Sequence, residues 1–309
     1  MSLAGKLVYH LWYRHYTPLR ELWRDGGPWQ RRRTEAGRLE MEAAVPRLVP
    51  TVGTGAPVTL YLLTGKKYWY QTAFCLWTFA HHSGRPLAPV IHDDGSLTAM
   101  QQDALLRLFP ATRFVSDTEA VATLDQALPA ARFPFLRERR RAFALLRKIT
   151  DIHAGQHDWR LFIDSDMLFF RRPDFLLAWH DAPDRPLRGE DIINAYGYRL
   201  ELLAELAGRP VPERVNTGTL GLRSDAIDWE RLEYWCRELQ TRVGPHYYQE
   251  QALIALLLAG VDCAVPPPQD HVVLPRPPEA LAPRAVMHHY VAHSKRWYFQ
   301  YRWRDALLR

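Results

Sequence analysis

Apolar and polar positions along this chain fall into blocks, and the blocks read alternately as strands and helices. Pro57 to Gly65, PVTLYLLTG, is a mostly apolar run closed by Thr-Gly, which predicts a buried strand and a turn. Lys66 to His82 predicts a helix. Leu87 to Ile91 predicts a second strand, which runs into His92-Asp93-Asp94-Gly95-Ser96. Leu97 to Phe109 predicts a second helix and Thr112 to Val115 a short third strand. Strands alternating with helical stretches predict βαβ units, hence an α/β fold with a mostly parallel central sheet flanked by helices.

Further along, Pro129 to Pro134 reads as a loop and Leu136 to Ala154 as one helix, basic at its start. Trp159 to Phe170, WRLFIDSDMLFF, is a nearly continuous apolar run broken by two carboxylates. Strands covered on both faces read this way. Pro183, Pro186, Pro210 and Pro212 punctuate loops around Gly189 to Gly208. Val215 to Leu222 is strand-like, and Ile227 to Val243 and Tyr248 to Ala259 predict helices. Pro266 to Pro268 and Pro275 to Pro278 predict a stiff connector, and the tail from Val286 is aromatic and basic. No internal repeat appears. The organisation expected is a helical extension over 1–56 ahead of one α/β domain over 57–309.

Composition adds limits. The 309 residues are 47% hydrophobic and 24% charged, enough for a sizeable core and too apolar for a disordered chain. The formal net charge of +6 suits an anionic partner, although an arginine-rich composition gives the same balance. Cys75, Cys236 and Cys263 are odd in number and far apart, which argues against a disulfide framework and for a reducing, cytoplasmic setting. No apolar run is long enough to span a membrane. Trp12, Trp23 and Trp29 lie among many arginines, so a helix packed on the domain and a peripheral contact at the inner membrane face both remain open.

The sharpest chemical signal is Asp164-Ser165-Asp166. On a strand, residues two apart point to one face. Two like charges in an apolar run are costly without a counter-charge. A divalent cation is the natural counter-charge, and carboxylate oxygens suit Mg²⁺ or Mn²⁺. A strand-end turn paired with arginines is the plainer alternative.

With its surroundings, LFIDSDMLFFRRP resembles the Asp-x-Asp region of GT-A fold glycosyltransferases, most of all family 8 and its relatives. The resemblance implies a Rossmann-like GT-A fold, Mn²⁺ or Mg²⁺ as cofactor, and a nucleoside diphosphate sugar as donor, a UDP-sugar foremost. Asp164 and Asp166 would then hold the metal against the donor diphosphate. Three further blocks follow in the same order. Asn216-Thr217-Gly218 is similar to the Asn-x-Gly segment lining the sugar site, which assigns Asn216 and Gly218 to the donor. Glu250-Gln251 is similar to an Asp-Gln pair and would be catalytic. His289 to Trp297 resembles a His-x-x-Gly-x-x-Lys-Pro-Trp block, whose His is the third metal ligand and whose Lys binds diphosphate; His289 and Lys295 inherit those roles. Ala292 stands where that block has Gly, Arg296 where it has Pro, and Ala252 where a second acid follows Asp-Gln. The first strand ends in Thr64-Gly65-Lys66 without the usual acid, leaving Thr64 as the donor contact there.

Several assignments stay open on the residues alone. Lys148, in Lys148-Ile149-Thr150-Asp151-Ile152, is either a donor-phosphate contact or a helix-surface lysine. Asp93 and Asp94 either touch the nucleotide or form a turn with Gly95. His288, His289 and His293 compete for one metal. Glu250 is either catalytic or a helix cap. A nucleotidyltransferase would share fold and metal, but Thr64-Gly65-Lys66-Lys67 is short for a triphosphate loop. Arg137 to Arg141 raises nucleic-acid binding, and a solvated helix face explains it more simply, so no nucleic-acid partner is expected. The acceptor is open among glycan, lipid and protein.

Overall fold

The computed structural model describes residues 26–308. In chain order its elements are α1 (Gly27–Ala44), β1 (Tyr61–Thr64), α2 (Trp69–Ser83), β2 (Val90–Asp93), α3 (Ala99–Leu108), β3 (Arg113–Val115), α4 (Asp117–Ala127), α5 (Pro134–Ala142), α6 (Arg147–His153), β4 (Trp159–Ile163) and β5 (Met167–Phe169). There follow α7 (Asp174–Asp181), β6 (Leu187–Glu190), α8 (Leu200–Ala207), β7 (Val215–Arg223), α9 (Trp229–Arg242), α10 (Gln249–Leu257), β8 (His271–Val273), α11 (Pro277–Leu281), β9 (Met287–His289) and α12 (Lys295–Gln300). Six strands form the central sheet in the order β3-β2-β1-β4-β7-β6. All run parallel except β7, which is antiparallel to both β4 and β6. The expected mostly parallel α/β sheet is present.

Strand alternation divides the core in two. Leu60, just before β1, and Leu62 on it join one apolar cluster with α2, while Tyr61 and Leu63 face a second built on α6, α9 and α10. Helix α2 is buried almost all round, as its near-continuous apolar sequence requires. Thr98 and Gln101 form a capping box that starts α3, and Ser116 caps α4. Helix α1 lies on α12. A Cβ on Gly37 would come within 2.1 Å of the Phe299 carbonyl, so a glycine is what lets the two approach. Met41, Ala44, Val45 and Leu48 extend the same core.

Three expectations change. The helix expected over 136–154 is two helices, broken at Phe143, whose backbone is extended (φ −147°, ψ 105°). The break seats the Phe143 ring 4.4 Å from the Arg139 guanidinium and 5.4 Å from the Tyr247 ring, a long-range packing that local helical periodicity does not record. The apolar run 159–170 is two strands in different sheets. β4 belongs to the central sheet, whereas β5 joins a small sheet of order β5-β9-β8, and Asp164 to Asp166 form the link. The stiff connector contains β8 and α11.

Trp12 and Trp23 lie outside the described residues, as does most of the segment read for membrane contact; Trp29 is exposed on α1. Among the described residues no helix is long and apolar enough to cross a membrane.

Candidate active site

The carboxyl ends of parallel strands are where an open α/β sheet leaves a crevice. β1 ends at Thr64 and β4 at Ile163 on that edge. Because β7 is reversed, its first residues arrive at the same edge, and Ile163 pairs with Thr219. Asn216, Thr217 and Gly218 therefore stand beside the Asp164-Asp166 link, and the Asp164 amide donates to the Gly218 carbonyl (2.7 Å). The link then enters β5, which pairs with β9 so that Met167 lies opposite His289. The Tyr290 amide donates to the Asp166 carbonyl (2.9 Å), fixing the approach. A cavity of about 570 Å³ opens here, lined by every residue the sequence assigned to donor, metal or catalysis.

Asp164, Asp166 and His289 each turn one ligand atom to a common point, all within 4.8 Å of one another. The Nε2 of His289 lies 3.1 Å from Asp166 Oδ1 and 3.6 Å from Asp164 Oδ2. Its Nδ1 is buried without a hydrogen-bond partner among the described residues. Two hard carboxylate oxygens and one imidazole nitrogen suit Mn²⁺ or Mg²⁺. Gly218 is needed behind them, since a Cβ there would meet the His289 ring at 2.3 Å.

Two ammonium groups flank the cluster. Lys148 Nζ lies 2.9 Å from Asp164 and Lys295 Nζ 3.2 Å from Asp166. Burial pushes the Asp166 carboxyl upward, but Lys295 and His289 outweigh it and hold the group below the usual carboxylate range. Burial lowers and Asp166 raises the His289 imidazole, and the net direction is up. Lys148 is buried on the inner face of α6, not on a helix surface.

The three histidines separate. His288 faces the other side of β9, with Nε2 2.9 Å from Glu279 and Nδ1 2.9 Å from the Tyr290 hydroxyl. His293 falls in the short turn Ala292–Ser294, past the end of β9. His289 alone of the three belongs to the cluster.

Glu250 opens α10 but does not cap it. Tyr248 holds the cap position, without a side-chain cap bond. The Glu250 carboxylate is buried, accepts from Thr217 Oγ1 (3.1 Å), and leaves Oε1 without a partner among the described residues. Burial pushes it up to about 7, against the pull of Lys148. Gln251 donates to the Val215 carbonyl (2.6 Å), and Asn216 donates to Asp191 (3.0 Å). Thr64 accepts from Thr72 (2.9 Å) and lines the cavity.

Asp93 and Asp94 divide. Asp93 accepts from the Gly95, Ser96 and Leu97 amides and makes the turn; Asp94 accepts from the Ser96 amide in the same turn and also lines the cavity. Sequence reading passed over His92, Gln71, Tyr68 and Tyr247, which also line it. His92 had a signal, being at the carboxyl end of a strand. Burial lowers its imidazole to about 4, so it is neutral, and neither ring nitrogen has a partner among the described residues.

No protein-family model and no curated protein matches the sequence. Among solved structures, the galactosyltransferase LgtC, in complex with donor and acceptor sugar analogues, matches at a TM-score of 0.51 with 12% identity, over 81% of this chain and 95% of that one. The chain has the GT-A fold. Mouse xyloside xylosyltransferase 1 also matches, at 0.47 and 10% identity over 76% of this chain and 98% of that one. The bifunctional glycosyltransferase WbbM matches at 0.48 and 13% over 77% of this chain, which spans only 46% of WbbM.

One backbone feature of this GT-A chain is testable alone. Ala292 lines the cavity at φ 46°, in the left-handed region where an L side chain costs about 1–2 kcal/mol. It is also the position at which the resembling block has Gly. Ala292→Gly removes that cost and adds some unfolded-state entropy, so a net gain of about 0.5–1 kcal/mol is expected in urea melts. A less stable variant would show that the alanine methyl contributes packing that outweighs its strain.

Proposed function

We propose that this protein is a divalent-metal-dependent glycosyltransferase of the family 8 kind, taking a hexose from a nucleoside diphosphate sugar, a UDP-sugar foremost. The observation that carries the reading is the convergence of Asp164, Asp166 and His289 within 4.8 Å, on the GT-A sheet edge, inside a cavity that also presents Lys148, Lys295 and Glu250. Asp164, Asp166 and His289 would hold Mn²⁺ or Mg²⁺, which when bound supplies charge neutralisation for a diphosphate leaving group.

The chain's own groups have separate tasks in this reading. Lys148 and Lys295 bind diphosphate oxygens as point charges. Asn216, Asp191 and Gln251, already hydrogen-bonded to one another, orient the sugar hydroxyls. In transfer, the bond from the anomeric carbon to the diphosphate oxygen breaks and a bond to an acceptor hydroxyl oxygen forms. Glu250, beside Thr217, takes the acceptor's proton or balances positive charge on the ring. The acceptor is a glycan, lipid or protein hydroxyl. A cytoplasmic site of action, with peripheral contact at the inner membrane face, accords with the unpaired cysteines and the basic, tryptophan-bearing start.

The test is a thermal-shift screen of nucleoside diphosphate sugars with and without Mn²⁺, followed by product analysis. One UDP-sugar is expected to raise the melting temperature only with metal, and slow hydrolysis to release free nucleoside diphosphate. Release of pyrophosphate from a nucleoside triphosphate would instead make the protein a nucleotidyltransferase. No metal-dependent shift with any donor would overturn both.

A further inference from the structure

Two lysines sit on the carboxylates meant for a metal. Lys148 Nζ, from α6, lies 2.9 Å from one oxygen of Asp164 and 3.0 Å from the other. Lys295 Nζ, from the first turn of α12, lies 3.2 Å from Oδ2 of Asp166. The lysines come from different elements, and each takes one carboxylate. Their side chains differ in setting: Lys148 is 4% exposed and Lys295 35%.

Two ammonium charges against two carboxylates leave this pair of acids neutralised without a metal. A divalent cation entering among Asp164, Asp166 and His289 brings two further positive charges to the same oxygens. At such separations like charges repel strongly even with near-surface screening. Metal and both lysines therefore compete for the same anions. A lysine that gives way remains in the cavity, and the anion it then needs is one the ligand must bring.

We infer that Lys148 and Lys295 are the resident counter-cations of this site, and that metal entry transfers them from Asp164 and Asp166 to the donor's diphosphate. The inference rests on the donor reading proposed above. Its consequence is a reciprocal coupling. Metal alone binds against competing ammonium groups. Nucleoside diphosphate alone meets lysines already engaged by carboxylates. Each ligand therefore binds tighter in the presence of the other.

Isothermal titration calorimetry with Mn²⁺ and UDP, separately and together, tests this on the wild-type chain, Lys295→Met and Lys148→Met. Lys295→Met is expected to bind Mn²⁺ alone roughly tenfold tighter or more, because one positive charge beside the cation is gone. The strengthening of UDP binding by Mn²⁺ is expected to shrink by about tenfold in the same variant. A lysine whose only task is to touch phosphate leaves the affinity for metal alone where it was; that result, or weaker metal binding, overturns the inference. Lys295→Arg keeps the charge and should keep the wild-type metal affinity. Thermal melts accompany each variant, and if Lys148→Met does not fold, the more exposed Lys295 decides alone. A wild-type chain that binds neither Mn²⁺ nor UDP, even together, takes down the donor reading and this inference with it. Binding of both, with metal affinity unmoved in the lysine variants, overturns this inference only.

Discussion

Asp166→Ala and Asp164→Ala are expected to abolish metal-dependent donor binding and to lower turnover by more than roughly 100-fold. Changes one layer outside a metal's ligands already cost roughly 10–100-fold in affinity or activity, and in the proposed reading these two carboxylates would be the ligands themselves. Calorimetry of Mn²⁺ with UDP checks the binding, and unchanged donor binding in both variants would sink the metal assignment. The stability effect is opposite to what the bare sequence suggests. Two adjacent carboxylates in an apolar run imply that removing one relieves repulsion. In the folded chain, however, Asp166 accepts from His289 at 3.1 Å and lies 3.2 Å from Lys295. Asp166→Ala leaves those groups without their anion, a loss of about 1–3 kcal/mol. The sign with pH follows from the direction of the shift. The Asp166 carboxyl is held below its ordinary 3.8, so its contribution is present above that pH and is lost as pH falls through the depressed value. The gap in melting temperature between wild type and variant should therefore be full at pH 7 and shrink in strong acid. A gap independent of pH would mean that packing, not charge, accounts for it.

Much of this arrangement was legible because charge inside an apolar run is conspicuous. Asp164 and Asp166 stood out for that reason, and the alternation of strands and helices around them predicted the sheet. What the run concealed was its own break. Residues 159–170 look like one strand because β4 and β5 are both buried, yet they lie in different sheets. Apolar character reports burial and says nothing of which sheet does the burying. The break at Phe143 was hidden for a related reason. The edge-to-face contact that Phe143 makes is with Tyr247, more than a hundred residues away. Lys148 was ambiguous because a helix-surface lysine and a buried one share the same local sequence. Only the ion pair with Asp164 separates them. His288 and His289 were likewise ambiguous, because strand alternation sends neighbours to opposite faces without saying which face is the site. What separates them is contact: His289 Nε2 lies 3.1 Å from Asp166 Oδ1, whereas His288 meets Glu279 and the Tyr290 hydroxyl.

Glu250→Gln is expected to lower transfer by roughly 10²-fold or more, to change donor affinity little, and to make the protein more stable at alkaline pH. The last effect separates catalysis from capping. A carboxylate capping a helix contributes stability through the helix dipole, so its loss would cost up to about 1 kcal/mol. The Glu250 side chain does not act that way. It turns inward to Thr217 Oγ1 at 3.1 Å, and burial moves its ionisation from 4.5 up to about 7. The folded chain therefore holds this proton more tightly than the unfolded chain does. Stability conferred by the neutral acid is complete below about 4.5 and is lost as pH rises through about 7. Above that, the ionised group is carried at a cost on the order of 3 kcal/mol. Gln keeps the size and most of the hydrogen bonding without the charge. Wild type and Glu250→Gln should melt together near pH 4, with the variant melting higher by pH 8. Wild-type activity should rise with pH through about 7, as the carboxylate form appears, and the variant's residual activity should not follow it. The acceptor is unidentified, so slow hydrolysis of the donor serves as the first assay. If Glu250→Gln hydrolyses the donor at the wild-type rate, the catalytic role passes to Asp191. That acid also lines the cavity and accepts from the Asn216 amide at 3.0 Å.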